Sequence, residues 1–259
     1  MMASGHDFVE AGAGEPVIFL HGIGGNYHSF EPQLTALKGF RNIAWNMPGY
    51  GSSEANVWPP TFASLSDALS DFLVHMNLDS AHLVGHSIGG MLALEHAVRK
   101  PEHVRSLTLV GTTPSFGGRD DSFKEAFLKA RLAPLDAGIS MKEMAEQSAP
   151  HLVGPIASDE TVHAIREQLA KVSEQTWRGI LQCLVTFNRR DDLEKVNVPC
   201  CIIAGECDQN APASTMEKMA RKLNDAEYHM IEEAGHMINQ EAPETFNAIL
   251  SRFLGGLKT

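Results

Sequence analysis

Several things are scarce in this sequence, and each shortage removes a class of protein. No apolar run approaches the roughly 18 residues that a membrane-spanning helix needs. Positive charge is short: 21 lysines and arginines stand against 32 aspartates and glutamates, a formal net charge of -11. Such a surface repels phosphate backbones and anionic lipid, so neither nucleic acid nor a membrane is an expected partner. Cysteine is limited to Cys183, Cys200, Cys201 and Cys207, with no CxxC pair and no matching histidine spacing. We therefore expect reduced, mostly buried thiols, no metal site and no cofactor. The opening MMASGHDFVE lacks the basic and apolar regions of a secretory leader, and a cytoplasmic protein is expected. Internal repeats and low-complexity tracts are missing too.

What is present fits one large α/β domain. The chain has 259 residues, 43% of them hydrophobic and 20% charged, enough for a substantial core and one insertion. Short apolar runs alternate with helical patterns, which predicts a mostly parallel sheet flanked by helices. The runs are VIFL (17–20), NIAW (42–45), HLV (82–84), SLTLV (106–110), CCIIA (200–204) and EYHMI (227–231). The Gly-rich AGAGEP before the first run suits a leading antiparallel hairpin.

Helices are equally legible. Phe62, Leu65, Leu69, Phe72, Leu73 and Met76 recur at spacings of three and four, with Thr61 or Ser64 as cap. Phe246, Ile249, Leu250, Phe253 and Leu254 repeat the pattern after Pro243, a first-turn proline. A third helix is expected from Ile88 to about Arg99, stopped by Pro101. Residues 115–195 break the alternation. They open with SFGGRDD, are punctuated by Pro134, Pro150, Gly154 and Pro155, and contain no convincing strand. We expect a core of residues 1–114 and 196–259 carrying a helical insertion at 115–195.

The strongest local signal is Gly85-His86-Ser87-Ile88-Gly89, a GxSxG pattern directly after a strand and before a helix. The pattern alone is common. Its position matters, because a tight strand-to-helix turn forces the central residue into a strained conformation and projects its hydroxyl. The helix start then offers free N–H groups and a positive dipole end to an oxyanion, Ile88 N–H among them. HGIGG (21–25) follows the first apolar strand and supplies a second amide, Ile23 first and Gly24 second. His21 reads as a structural hydrogen-bonding residue.

A serine hydroxyl needs an imidazole to take its proton. Of 12 histidines, His236 is placed best, in a loop after the last strand and before the final helix. His229 on a strand reads as structural, His86 as locked in packing or hydrogen bonding, and His96, His103 and His151 as surface residues. The imidazole needs a carboxylate. Asp208, at the end of the CCIIA strand, is preferred, with Glu206 as competitor. The chain order Ser87, Asp208, His236 is then the one expected for an α/β-hydrolase.

Together HGIGG, MPGYGSS (47–53), GHSIGG (85–90), the GECD loop (205–208) and AGH (234–236) resemble the α/β-hydrolase family across almost the whole chain. The resemblance implies that 115–195 is a cap. The stretches from Pro134 to Ala145 and from Arg189 to Leu193 resemble the 3-oxoadipate enol-lactonases and related small-substrate esterases. Two positions depart from the pattern: Asn46 stands where relatives usually carry Asp, keeping the hydrogen bonding and losing a charge, and Ile88 stands where many carry Met. Serine at 87 argues against epoxide hydrolases and haloalkane dehalogenases, whose nucleophile is Asp.

The expected pocket lies between Ser87, the HGIGG loop and the cap. Its candidate walls are Gly24, Tyr27, His28, Phe116, Trp177, Leu181 and Met237, with Met141 and Met144 as flexible apolar fillers. Arg131, Arg166, Arg178, Arg189 and Arg190 are candidates for a substrate carboxylate. The expected activity is hydrolysis of a small carboxylic ester or lactone through an acyl-enzyme on Ser87. The alternatives are a C–C bond hydrolase of ring-cleavage products, against which HGIGG speaks, a perhydrolase-type side activity, and a ligand receptor on a hydrolase scaffold. The expected partner is a small-molecule substrate. Monomer and dimer both remain open.

Overall fold

Successive side chains of a strand point to opposite faces, so an unbroken apolar run such as VIFL stays dry only in a sheet covered on both sides. The computed structural model, which describes residues 5–117 and 122–257, has such a sheet. Its strands are β1 (Asp7–Gly12), β2 (Glu15–Leu20), β3 (Phe40–Asn46), β4 (Ala81–His86), β5 (Val104–Val110), β6 (Cys200–Gly205) and β7 (Ala226–Ile231). The helices are α1 (Glu31–Ala36), α2 (Phe62–His75), α3 (Ile88–Arg99), α4 (Ser122–Asp136), α5 (Met141–Ser148), α6 (Asp159–Ala170), α7 (Glu174–Leu184), α8 (Ala213–Ala220), α9 (Ile238–Glu241) and α10 (Pro243–Gly256). Strand order is β1-β3-β2-β4-β5-β6-β7, with β1 antiparallel to β3 and every other neighbouring pair parallel.

Two cores result. Ile18 and Leu20 pack with Leu65 and Leu69 of α2 and Leu92 of α3. Val17 and Phe19 enter the opposite core with Phe246 and Leu250 of α10. These four residues of β2 are fully buried, and each such side chain contributes roughly 1.5–3 kcal/mol.

All six expected parallel strands form, but the leading hairpin does not. β1 and β2 are joined by a short turn, yet β1 crosses over to pair with β3, Asp7 opposite Asn46 and Gly12 opposite Arg41. Both edges of β2 are already taken by β3 and β4. β1 is half-exposed and carries Asp7 and Glu10, which suits the outer edge of the sheet.

The helix starts follow local chemistry. Thr61 and Ser64 both serve α2: Thr61 Oγ1 accepts from Ser64 N–H at 3.1 Å and Ser64 Oγ accepts from Thr61 N–H at 2.9 Å. Pro243 opens α10, and α3 ends before Pro101. His96, expected at a surface, is instead fully buried, because α3 packs between the sheet and α2; its Nδ1 meets Ser66 Oγ at 2.9 Å.

Helices α4 to α7 lie between β5 and β6, where the helical insertion was expected. Its entry and exit are stitched together by Phe116 N–H to Phe187 O at 2.9 Å and Arg189 N–H to Pro114 O at 2.8 Å. Arg189 also grips Glu95 of α3 through two hydrogen bonds of 2.6 and 2.9 Å. The GRDD part of the connector, 118–121, lies outside the described residues. No helix among the described residues is long and apolar enough to cross a membrane.

Candidate active site

Ser87 sits between β4 and α3 at φ +54°, ψ -120°, a left-handed conformation that a non-glycine residue adopts only when its surroundings force it. The two flanking glycines make this turn possible. A Cβ on Gly85 would lie 2.3 Å from Gly89 O, and one on Gly89 would lie 2.1 Å from Leu20 O. Ser87 N–H donates to Val110 O at 2.9 Å, and the Thr112 hydroxyl donates to Ser87 O at 2.7 Å. The turn is therefore tied to the end of β5 through its N–H and to the loop just after β5 through its carbonyl. Ile88 opens α3, where first-turn amides have no intrahelical acceptor.

The HGIGG loop lies against this turn. A Cβ on Gly22 would be 3.4 Å from Ser87 Cβ. His21 holds the loop and is structural, as its position suggested. Its Nδ1–H donates to Gly22 O at 2.8 Å while Nε2 accepts from Met47 N–H at 3.1 Å, which fixes one neutral tautomer. Burial pushes its pKa down to about 4. The Tyr50 hydroxyl donates to Ile23 O at 2.8 Å and so orients the Ile23–Gly24 peptide, which carries the second candidate amide, while the His21 bond to Gly22 O orients the peptide that carries the first, Ile23 N–H.

His236 reaches Asp208, its Nδ1 2.8 Å from Asp208 Oδ2, with the Asp208 side chain fully buried. The other oxygen, Oδ1, accepts from Asn210 N–H at 2.8 Å and Ala211 N–H at 3.0 Å. Burial alone raises the Asp208 carboxyl. The His236 imidazole and the two amides together outweigh that effect and hold it below the usual carboxylate range. Glu206 is engaged elsewhere, accepting from Glu233 N–H at 2.9 Å.

The loop bearing His236 is held by its backbone. The amides of three consecutive residues are taken: Gly235 N–H by Glu241 Oε2 at 2.8 Å, His236 N–H by Leu152 O at 2.7 Å, and Met237 N–H by Glu241 Oε1 at 2.8 Å. Glu241 Oε2 also accepts from Gly154 N–H at 2.7 Å. Burial raises the Glu241 carboxyl in spite of these amides. His86, locked as expected, donates from Nε2 to His236 O at 2.8 Å. Burial and the neighbouring His236 push its pKa down to about 3, so it stays neutral.

Ser87, His86 and His236 border one cavity of about 470 Å³, roofed by the insertion. Ile23, Gly24, Phe116, Trp177, Leu181 and Met237 line it as well. Tyr27 and His28 do not. Asn26 caps a short helical turn over Tyr27–Phe30, and Tyr27 N–H is captured by Asn46 Oδ1 at 2.7 Å, which carries both residues to a separate surface depression. His28 pairs with Glu31 there. Met141 and Met144 are likewise absent from the lining: Met144 is buried in the apolar core and Met141 packs against that core.

Several residues escaped the sequence reading. Glu241 carried a usable signal, a carboxylate five residues after His236 on the helix that follows it. Asp7 carried none. Its Oδ2 accepts from Asn46 Nδ2 at 2.8 Å and from Ser52 N–H at 2.9 Å, so a carboxylate from β1 stands beside Asn46. Among the described residues, one group combines metal-ligand types, Cys201, Glu227 and His229 on β6 and β7. It lies outside the cavity lining, and Arg252 Nη2 already stands 3.2 Å from His229 Nε2.

Comparison with known proteins agrees with this fold. A family model described as the alpha/beta hydrolase fold matches residues 15–243. A RutD protein of Azorhizobium caulinodans, named as a candidate carbamate hydrolase, is 27% identical over 94% of this chain and 92% of its own. The 3-oxoadipate enol-lactonase 1 of Acinetobacter baylyi is 24% identical over 93% of this chain and 89% of its own. In structure, a thermophilic esterase from Thermogutta terrifontis superposes with a TM-score of 0.88 at 22% identity, over 98% of this chain and 94% of that one. A match of that span, on a sheet with this strand order, makes the chain a member of the α/β-hydrolase family and a hydrolase of that type.

Proposed function

We propose that this hydrolase cleaves a small carboxylic ester or lactone through an acyl-enzyme on Ser87. The observation that carries the reading is that His236, paired with the buried Asp208, borders the same cavity as a serine held on a strained turn. Asp208 keeps the imidazole proton on Nδ1 and leaves Nε2 as base. As Ser87 Oγ bonds to the carbonyl carbon, its proton passes to His236 Nε2. The N–H groups of Ile23 and Ile88 receive the oxyanion. His236 then hands the proton to the departing alkoxide, the acyl group stays on Ser87, and a water activated by His236 releases the carboxylic acid.

Residues 115–195 serve as the cap in this reading. Phe116, Trp177 and Leu181 bring apolar surface over Ser87, which suits a substrate with a hydrocarbon body. The test is stoichiometric labelling with a fluorophosphonate. Wild-type protein should take up one equivalent and Ser87→Ala none. If folded wild-type protein resists the label, the reading falls and a ligand receptor on this scaffold takes its place. A panel of acyl esters, lactones and dienoic ketones then ranks ester and lactone cleavage against C–C cleavage.

A further inference from the structure

The cavity wall is almost free of charge. Among the described residues that line it, one carries a permanent charge, Arg131 of α4. The other cap arginines among the described residues are accounted for elsewhere. Arg178 pairs with Asp136 and Glu174, Arg189 with Glu95 and Asp192, and Arg190 donates to Ser115 Oγ at 2.7 Å. Arg166 does not border the cavity. Arg131 has no carboxylate partner among the described residues. Its guanidinium lies 5.4 Å from the centre of the Phe127 ring, and Phe127 packs edge-on against Phe116, both of which also line the cavity.

In a chain with an excess of eleven negative charges, an unpaired guanidinium on an apolar wall is an unusual placement. The Phe127 face holds it from one side, while its N–H groups remain available for a planar anion, which a guanidinium binds in two-pronged fashion. We infer that the substrate is an ester or lactone bearing a second, free carboxylate, and that Arg131 receives this carboxylate while Ser87 attacks the acyl carbonyl. This inference rests on the acyl-transfer reading above. Arg131 sets specificity and takes no part in bond making.

The test compares para-nitrophenyl pentanoate with hydrogen para-nitrophenyl glutarate, esters of equal acyl length of which only the second carries a charge. The succinate and adipate half-esters vary the span. Active enzyme is counted by fluorophosphonate labelling, so partial misfolding of a variant does not distort the rates. Wild-type enzyme should prefer the best-fitting half-ester over its neutral counterpart by about 10-fold or more in kcat/KM, as expected for a charge-assisted hydrogen bond. Arg131→Gln should bring that ratio to one or below, and Arg131→Lys should keep part of it. A wild-type enzyme that cleaves the neutral ester as well as every half-ester overturns the inference and leaves the serine-hydrolase reading standing. So does a preference that survives Arg131→Gln. A wild-type protein that takes no label and cleaves none of these esters removes the underlying reading itself.

Discussion

The two oxygens of Asp208 have different work, and that division makes a sharp test of its role. Oδ1 accepts two backbone amides and holds the loop, while Oδ2 meets His236 Nδ1. In Asp208→Asn the remaining carbonyl oxygen keeps the amides and the new NH2 faces His236. The imidazole must then accept at Nδ1 and carry its proton on Nε2, where it cannot act as base. We expect kcat on an activated ester to fall by roughly 10⁴-fold with the fold retained. A rate within threefold of wild type would mean that another group serves as the acid. The Asp208–His236 contact was legible in the sequence because it depends on local order, a carboxylate just past a buried strand. The Asp7–Asn46 contact was not legible. The partners lie on different strands, and no local pattern says that a carboxylate from β1 meets the amide that ends β3.

At the scale of elements, α9 does more than connect. It presents one carboxylate to the amides on either side of His236 and to Gly154 of the insertion. Glutamine at position 241 has a single acceptor oxygen, so it satisfies one side and turns an NH2 toward an N–H on the other. A buried donor left unsatisfied in this way costs about 1–3 kcal/mol. Glu241→Gln should therefore lower kcat by about tenfold through displacement of His236, with KM within twofold, measured well below the unfolding temperature. A variant with wild-type kcat and only a lowered Tm would show that the clamp is structural alone. The same scale shows what sequence patterns carry. The parallel strands and the caps of α2 were legible because they rest on periodicity and neighbouring residues. The partner of β1 and the direction of Tyr27 were not, because each is decided by which distant strand edge or side chain is free to receive it.

The whole molecule combines an acidic surface with neutral histidines buried beneath it. His21 and His96 are held at about 4 and His86 at about 3, in each case mainly by burial, against 6.5 for the free side chain. Between those values the unfolded chain binds protons that the folded chain refuses, so stability rises with pH across this window and is lost on acidification. At about 1.4 kcal/mol per unit, each of the three contributes up to about 2 kcal/mol of loss by pH 5. The net charge of -11 works in the opposite direction, since protonating surface carboxylates relieves repulsion. Ordinary carboxylates titrate near 4, however, so between pH 6.5 and 5 the histidines dominate. The urea midpoint should therefore fall clearly from pH 7.5 to pH 5. His96→Gln, which removes one of the three groups away from the cavity that Ser87 and His236 border, should reduce that fall by about a third, whatever it does to stability at neutral pH. An unchanged midpoint at pH 5 would show that the buried imidazoles accept protons without unfolding, and that the dry interior around the HGIGG loop admits water.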